Sequence, residues 1–207
     1  MAEDAILIET SPAARDKRAL RTALREQRQA LPALERMHAA EAIAGLLLGH
    51  PALAQPGYLA AYWAMSGEVP LHVLQMRVQA GLVWCLPCIQ PDDSLRFCPW
   101  RPGDALLGNR FGIPEPVLAP ESQLLAAEMS VILLPLLGFS RSGQRLGTGG
   151  GYYDRSLAFR QQLPAPPLLI GVGYSFQESS AWQNEPWDVQ LDAVVTEREF
   201  IDCSREQ

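Results

Sequence analysis

Leu20, Leu24 and Leu31 recur at helical spacing in and just after residues 14–30, and basic residues fill the other faces of that stretch. The pattern predicts an amphipathic helix that Pro32 stops. A second helix is predicted over 33–48, carrying Leu34, Met37, Ile43, Leu46 and Leu47, with Gly49 and Pro51 ending it. YLAAYWAM, residues 58–65, then reads as a strand leading into the turn SGEVP. Residues 70–80 read as a helix with proline in its first turn. LVWCLPCI (82–89) and SLRFCPW (94–100) read as strands, and 101–128, rich in Pro and Gly, as irregular. MSVILLPL (129–136) is the most apolar strand and is predicted to be central in a sheet. A helix over 152–163 and strands over 166–174 and 191–197 follow. The ends, 1–12 and 203–207, are expected to be loose.

Strands alternate with helices, and continuous apolar runs outnumber alternating ones. The expectation is a single domain over 1–207, a three-layer α/β/α sandwich with a mostly parallel central sheet. Such sheets bind ligands beyond the carboxyl ends of their strands. The segment GTGGG (147–151) stands at that kind of place, after a buried strand and before a helix.

Composition narrows the partners. Hydrophobic residues make up 48% and charged residues 19%, with a net charge of −6. An acidic chain lacks the basic field of nucleic-acid and membrane-surface binders, so neither partner is expected. An anionic ligand would require its few cations to gather at one place. MAEDAILIETS lacks the basic start of a secretory signal, and LAAEMSVILLPLLGF, the longest apolar stretch, is interrupted by Glu128 and Pro135. The cytoplasm is the expected compartment. WCLPC (84–88) has the spacing of a redox motif, but that motif needs a helix opening at the first cysteine, and a strand is predicted there. Cys98 adds a third sulfur with no fourth ligand for zinc. The four cysteines read as core and near-core thiols in a reducing compartment.

The glycine cluster is neither a Walker A loop nor a dinucleotide fingerprint, because its spacing fits neither. It still has the parts of a phosphate site. Glycines bare backbone N–H groups, a helix start follows, and Arg145 supplies a forked cation. Asp154 suits a Mg²⁺ that bridges phosphates, or equally the dipole of its own helix. Tyr152 and Tyr153 offer ring faces.

The run LLPLLGFSRSGQRLGTGGGYYDRSL resembles the signature of the 5-formyltetrahydrofolate cyclo-ligase family, on Pro135, Phe139, Gly143, Arg145, Leu146, Gly147, Gly149, Gly151, Tyr152, Tyr153, Asp154 and Leu157. KRALR (17–21), WAMSGEVP (63–70), FGIPEP (111–116), GVGYSFQ and EPWDVQLDAVVTE are similar to further segments of that family. Two positions depart from its pattern. Ser140 stands where the family often has a turn Asp, and Thr148 where many relatives have a large or basic side chain.

The resemblance implies an enzyme that converts 5-formyltetrahydrofolate to 5,10-methenyltetrahydrofolate with ATP and Mg²⁺. It implies that Lys17, Arg18 and Arg21 serve the nucleotide phosphates. Lys17 and Arg21 share a helical face at i and i+4 and, without the resemblance, read as a solvated basic face. Arg145, Leu146, Gly147, Thr148, Gly149, Gly150, Gly151, Tyr152 and Tyr153 would wrap the triphosphate, with Arg145 and Asp154 catalytic and Asp154 the metal ligand. Asp188 and Asp192 are further metal candidates that read otherwise as surface carboxylates. Glu68 would accept hydrogen bonds from the pterin, with Trp63 and Tyr152 along the ring. Trp63 alone would read as a core residue. His38, His50 and His72 read as surface or capping residues. The expected partners are a reduced folate and ATP, and the expected state is a monomer. The competing expectation is a paralogue of the same fold that binds nucleotide or folate without turnover.

Overall fold

The computed structural model describes residues 12–203, with side chains from Lys17 onward. The expectation for the chain ends falls outside these residues, except that Pro12 opens a helix and Cys203 is buried. The elements are α1 (Pro12–Ala30), α2 (Ala33–Leu48), β1 (Gly57–Ala60), α3 (His72–Gln75), β2 (Leu82–Ile89), β3 (Leu95–Pro99), β4 (Leu106–Gly108), β5 (Pro114–Pro116), β6 (Val131–Pro135), β7 (Gly138–Phe139), β8 (Arg145–Leu146), α4 (Tyr152–Leu157), β9 (Leu168–Val172), β10 (Ala193–Val195) and β11 (Phe200–Asp202), with short 3₁₀ turns between some of them.

Seven strands form one sheet in the order β11-β10-β9-β6-β1-β2-β3. The five inner strands run parallel, and β3 and β11 close the edges antiparallel. The expected mostly parallel sheet is therefore present, with β6 at its centre. Alternate residues of β6 feed two cores. Val131 and Leu133 join the cluster of α2 and α3, and Ile132 and Leu134 join the cluster of α4. A strand buried on both faces needs no polar alternation, which is why MSVILLPL reads as continuously apolar.

Several boundaries differ from expectation. The ladder of β1 stops at Ala60, four residues in, because the chain then leaves the sheet and turns over its carboxyl end. The helix expected over 70–80 shrinks to His72–Gln75, and Met76 faces solvent. The stretch expected to be irregular contains the β4–β5 hairpin. The helix expected to run to 163 ends its α turns at Leu157 and continues as a 3₁₀ turn over Ala158–Gln161. β11 has no counterpart in the sequence reading. In α2 the buried face is Ala39, Ala40, Ile43, Ala44 and Leu47, so Leu34, Met37 and Leu46 lie outside the core. Alanines let that helix approach the sheet closely, a signal that a search for large apolar residues passes over.

Ser140 takes the turn role expected of it. Its hydroxyl accepts from Gln144 N at 3.2 Å and its carbonyl from Gly143 N at 3.0 Å, closing the β7–β8 hairpin. His50 caps a 3₁₀ turn by accepting from Ala52 N at 3.2 Å. The cysteines depart from the thiol reading, since Cys88 and Cys98 pair as a disulfide. The antiparallel register of β2 and β3 sets Leu86 opposite Cys98 and so brings Cys88, two residues on, diagonally beside it. Cys85 and Cys203 are buried. Among the described residues no helix is long and apolar enough to cross a membrane.

Candidate active site

A cleft of about 1100 Å³ opens beyond the carboxyl ends of the parallel strands. Pro135 at the end of β6 and Pro87 and Ile89 at the end of β2 form part of its floor. One face of α1 forms a wall, where Lys17, Arg21, Arg25 and Arg28 repeat at helical spacing. The acidic chain does gather its cations at one place. Arg18 is exposed and lies off that wall, since it sits one position round the helix from Lys17.

The glycine loop faces α1. Arg21 Nε donates to Gly147 O at 2.9 Å, tying the loop to the helix. Leu146 is buried with Leu24 and Trp182, so its side chain anchors the loop at the edge of the cleft it helps to line. Thr148, Gly149 and Gly150 are exposed along the cleft. A Cβ at Gly150 would come within 2.6 Å of the Tyr152 ring, so only glycine lets the loop fold back on that ring. Arg155 Nη2 donates to Gly150 O at 2.8 Å and holds the fold-back. Gly151, left-handed at φ 68°, opens α4.

Arg145 and Asp154 meet directly. Arg145 Nη2 donates to Asp154 Oδ1 and Oδ2 at 2.9 and 3.0 Å, and the guanidinium lies 5.7 Å from the Tyr153 ring centre. Arg145 Nε is buried and has no hydrogen-bond partner among the described residues. Asp154 Oδ1 also receives a long bond from Val189 N at 3.4 Å. Lys17 Nζ is 3.1 Å from Glu185 Oε1, on the opposite lip. Tyr152 accepts from Arg110 Nη2 at 2.8 Å, and Phe111 meets its ring edge-on.

The other half of the cleft is the Tyr62–Glu68 segment beyond β1. Trp63 is 38% exposed, edge-on to Trp100, so it borders the cleft and is not the core residue its strand context suggests. Ser66 and Gly67 both have positive φ, 49° and 82°, and a Cβ at Gly67 would lie 2.8 Å from Arg28 O. That turn returns Glu68 to the cleft, where Glu68 Oε2 accepts from Met65 N at 2.9 Å. Burial pushes the Glu68 carboxyl above its usual range, against the opposing pull of the Met65 N–H and Arg28. Burial raises the hydroxyl pKa of Tyr62 and Tyr153 as well.

The metal candidates separate. Asp154 and Asp188 both line the cleft, and Asp188 Oδ2 accepts from Glu185 N at 2.8 Å. Asp192 does not line it. It is held by Arg160 at 2.7 Å and Leu169 N at 2.8 Å and braces β9 instead. Among the described residues no three metal-ligating side chains cluster. A protein cage for a bare ion is therefore absent from these residues, whereas a Mg²⁺ arriving on a triphosphate needs only one or two carboxylates. Asp154 and its neighbour Asp188 fit that lesser demand. Sequence reasoning missed Arg25, Arg28 and Tyr62. For Arg25 and Arg28 the available signal was the four- and then three-residue spacing of cations along α1, which continues past Arg21.

A parallel sheet with a ligand-sized cleft beyond its carboxyl ends makes this an α/β enzyme of the class that works at strand termini. The profile of the 5-formyltetrahydrofolate cyclo-ligase family matches residues 13–197, and the chain belongs to that family. It is 30% identical over 176 residues to the 5-formyltetrahydrofolate cyclo-ligase of Escherichia coli K12, covering 84% of this chain and 96% of that one. The solved 5,10-methenyltetrahydrofolate synthetase of Aquifex aeolicus superposes with a TM-score of 0.77 at 28% identity, covering 92% of this chain and 94% of its own. That of Mycoplasma pneumoniae gives 0.66 at 27% identity, covering 88% and 99%.

Proposed function

We propose that this enzyme converts 5-formyltetrahydrofolate and ATP to 5,10-methenyltetrahydrofolate, ADP and phosphate, with Mg²⁺. The observation that carries the reading is one cleft with two unlike halves. A cationic glycine loop faces α1 on one side, and a buried carboxylate with an exposed tryptophan stands on the other.

The formyl oxygen on N5 is a poor leaving group. Transfer of the γ-phosphoryl group onto it breaks the bond to ADP and makes that oxygen part of a phosphate. N10 then attacks the formyl carbon, its proton is lost, and phosphate departs with the original formyl oxygen. Phosphoryl transfer asks a protein mainly for position and charge. Arg21 and the loop N–H groups hold the phosphates, Lys17 adds a second cation, and Arg145 faces the charge that builds up at transfer. Mg²⁺, when bound, neutralises phosphate charge, and Asp154, with Asp188 beside the same wall, is the residue to hold it. Glu68 accepts the donor edge of the pterin, and Trp63 and Tyr152 flank its ring. Catalysis in the cytoplasm by a single chain completes the reading.

The test is product absorbance on mixing pure protein, 5-formyltetrahydrofolate and Mg·ATP. Methenyl product that requires all three, with one ADP formed per product, is expected. Product formed equally well without ATP, or no product from folded protein, would overturn the reading.

A further inference from the structure

Arg28 is a charged residue with almost no access to water, at 2% exposure, and the chemistry above leaves it without a task. Its guanidinium does not point at the glycine loop. Nε donates to Ser66 O at 3.1 Å, Nη1 donates to Leu136 O at 3.1 Å, and Nη1 lies 3.6 Å from Glu68 Oε1. One fork thus ties together α1, the end of β6 and the turn that presents Glu68. The turn holds Ser66 at positive φ, a strained conformation for a residue with a Cβ, before Gly67, which adopts positive φ freely. It is clamped from two sides, because Tyr174 Oη donates to Gly67 O at 3.1 Å.

We propose that Arg28 is the positioning residue of the folate half-site, fixing the Ser66–Glu68 turn and supplying the positive charge that keeps the Glu68 carboxylate available to a ligand's N–H groups. The proposal rests on the reading of Glu68 as a folate contact. Four titratable groups act with Glu68: Arg28 from α1, Tyr62 from the segment after β1, Tyr153 from α4 and Tyr174 from the segment after β9. Three of these are tyrosines whose hydroxyls burial keeps protonated, so Arg28 alone brings charge. Without it, a carboxyl already pushed upward by burial would rise further and take up its proton at a higher pH than in the parent, and the protonated form is a donor where the pterin edge also donates. An arginine suits the place because three acceptors in different directions need a fork, which a lysine cannot reproduce.

The test measures 5-formyltetrahydrofolate and ATP binding by calorimetry across pH for Arg28→Met, Arg28→Lys, Glu68→Gln and the Arg28→Met/Glu68→Gln double variant, with thermal unfolding alongside. Binding is measured so that a failure of turnover does not enter. Arg28→Met is expected to weaken folate binding about tenfold or more, as removal of one partner from a buried charge pair does. Its ATP affinity should hold within about twofold, since Arg28 touches no part of the loop. The acid limb of folate binding should move to higher pH, and Arg28→Lys should restore that limb while leaving affinity incomplete. Arg28→Met should cost less folate affinity in the Glu68→Gln background than in the parent. Lost thermal stability with unchanged folate affinity and an unmoved acid limb would overturn the proposal, as would additive losses in the double variant. If Arg28→Met does not fold, Arg28→Lys decides: a normal turn with unchanged affinity overturns it equally. Unchanged folate binding in Glu68→Gln would instead remove Glu68 from the folate site, and the Arg28 proposal with it.

Discussion

Arg145 Nη2 bonds both carboxylate oxygens of Asp154, at 2.9 and 3.0 Å, so the cation and the carboxylate assigned to one triphosphate already hold each other. Each therefore sets the other's position. Asp154→Ala would strand a nearly buried guanidinium, costing about 1–3 kcal/mol of stability as well as the proposed metal ligand. Asp154→Asn keeps an acceptor for Arg145 and separates the two effects. It is expected to lower kcat by about 10²–10³ with a small change in Tm. Turnover near that of the parent in Asp154→Asn would remove Asp154 from the metal role.

Lys17 Nζ stands 3.1 Å from Glu185 Oε1, and Glu185 is half-exposed on the far lip. A phosphate approaching Lys17 has to compete with that carboxylate. Partly exposed pairs of this kind contribute under about 1 kcal/mol, so the competition is mild. Glu185→Gln is expected to lower the KM for ATP by about two- to fivefold with kcat unchanged. Lys17→Met should raise it by a larger factor. A raised KM for ATP in Glu185→Gln would mean that Glu185 helps to hold the nucleotide or its metal.

The sheet was legible in the chain because its inner strands are buried on both faces, so β2 is readable to the residue and β6 to within two. The loop was legible because glycines, an arginine and the Tyr-Tyr-Asp run sit together in sequence. What stayed hidden depends on contacts between distant residues. Nothing local says that Arg28 turns toward Ser66 and Glu68, thirty-eight and forty residues on, while Arg18 faces water. The packing of Leu146 and the exposure of Trp63 stayed hidden for the same reason. Leu146 opens the glycine-rich segment yet packs on Leu24 and Trp182, and Trp63 follows a buried strand yet stands beyond its last ladder pair. Asp192 reads in the sequence as a metal candidate because its bond to Arg160 spans thirty-two residues and leaves no trace in spacing.

WCLPC can be tested as chemistry. Burial alone pushes the Cys85 thiol up to about 12, so it carries essentially no thiolate at neutral pH. Cys203 is buried, and Cys88 and Cys98 are paired. Folded, non-reduced protein is expected to give no fast reaction with a thiol-directed disulfide reagent. In guanidinium, reduction is expected to add two titratable thiols. Rapid reaction of one cysteine in the folded state would revive a redox role, and four thiols without reductant would break the Cys88–Cys98 pair.

Glu68 gives the pH dependence of the fold a sign. Its folded-state pKa is raised, chiefly by burial, above the ordinary carboxylate value of about 4.3. The folded chain therefore binds a proton at pH values where the unfolded chain has released it, and stability falls as pH rises through that window. Below about pH 4 both states hold the proton and the contribution is intact. Above the raised value both have lost it and the loss is complete. Glu68→Gln cannot ionise and lacks this slope. In denaturant melts across the acid range, the stability of the parent relative to Glu68→Gln is expected to decline with increasing pH and then level. A difference that stays flat, or that grows in the parent's favour, would mean that Arg28 and the Met65 N–H outweigh burial and that Glu68 enters the fold as an already stabilised anion.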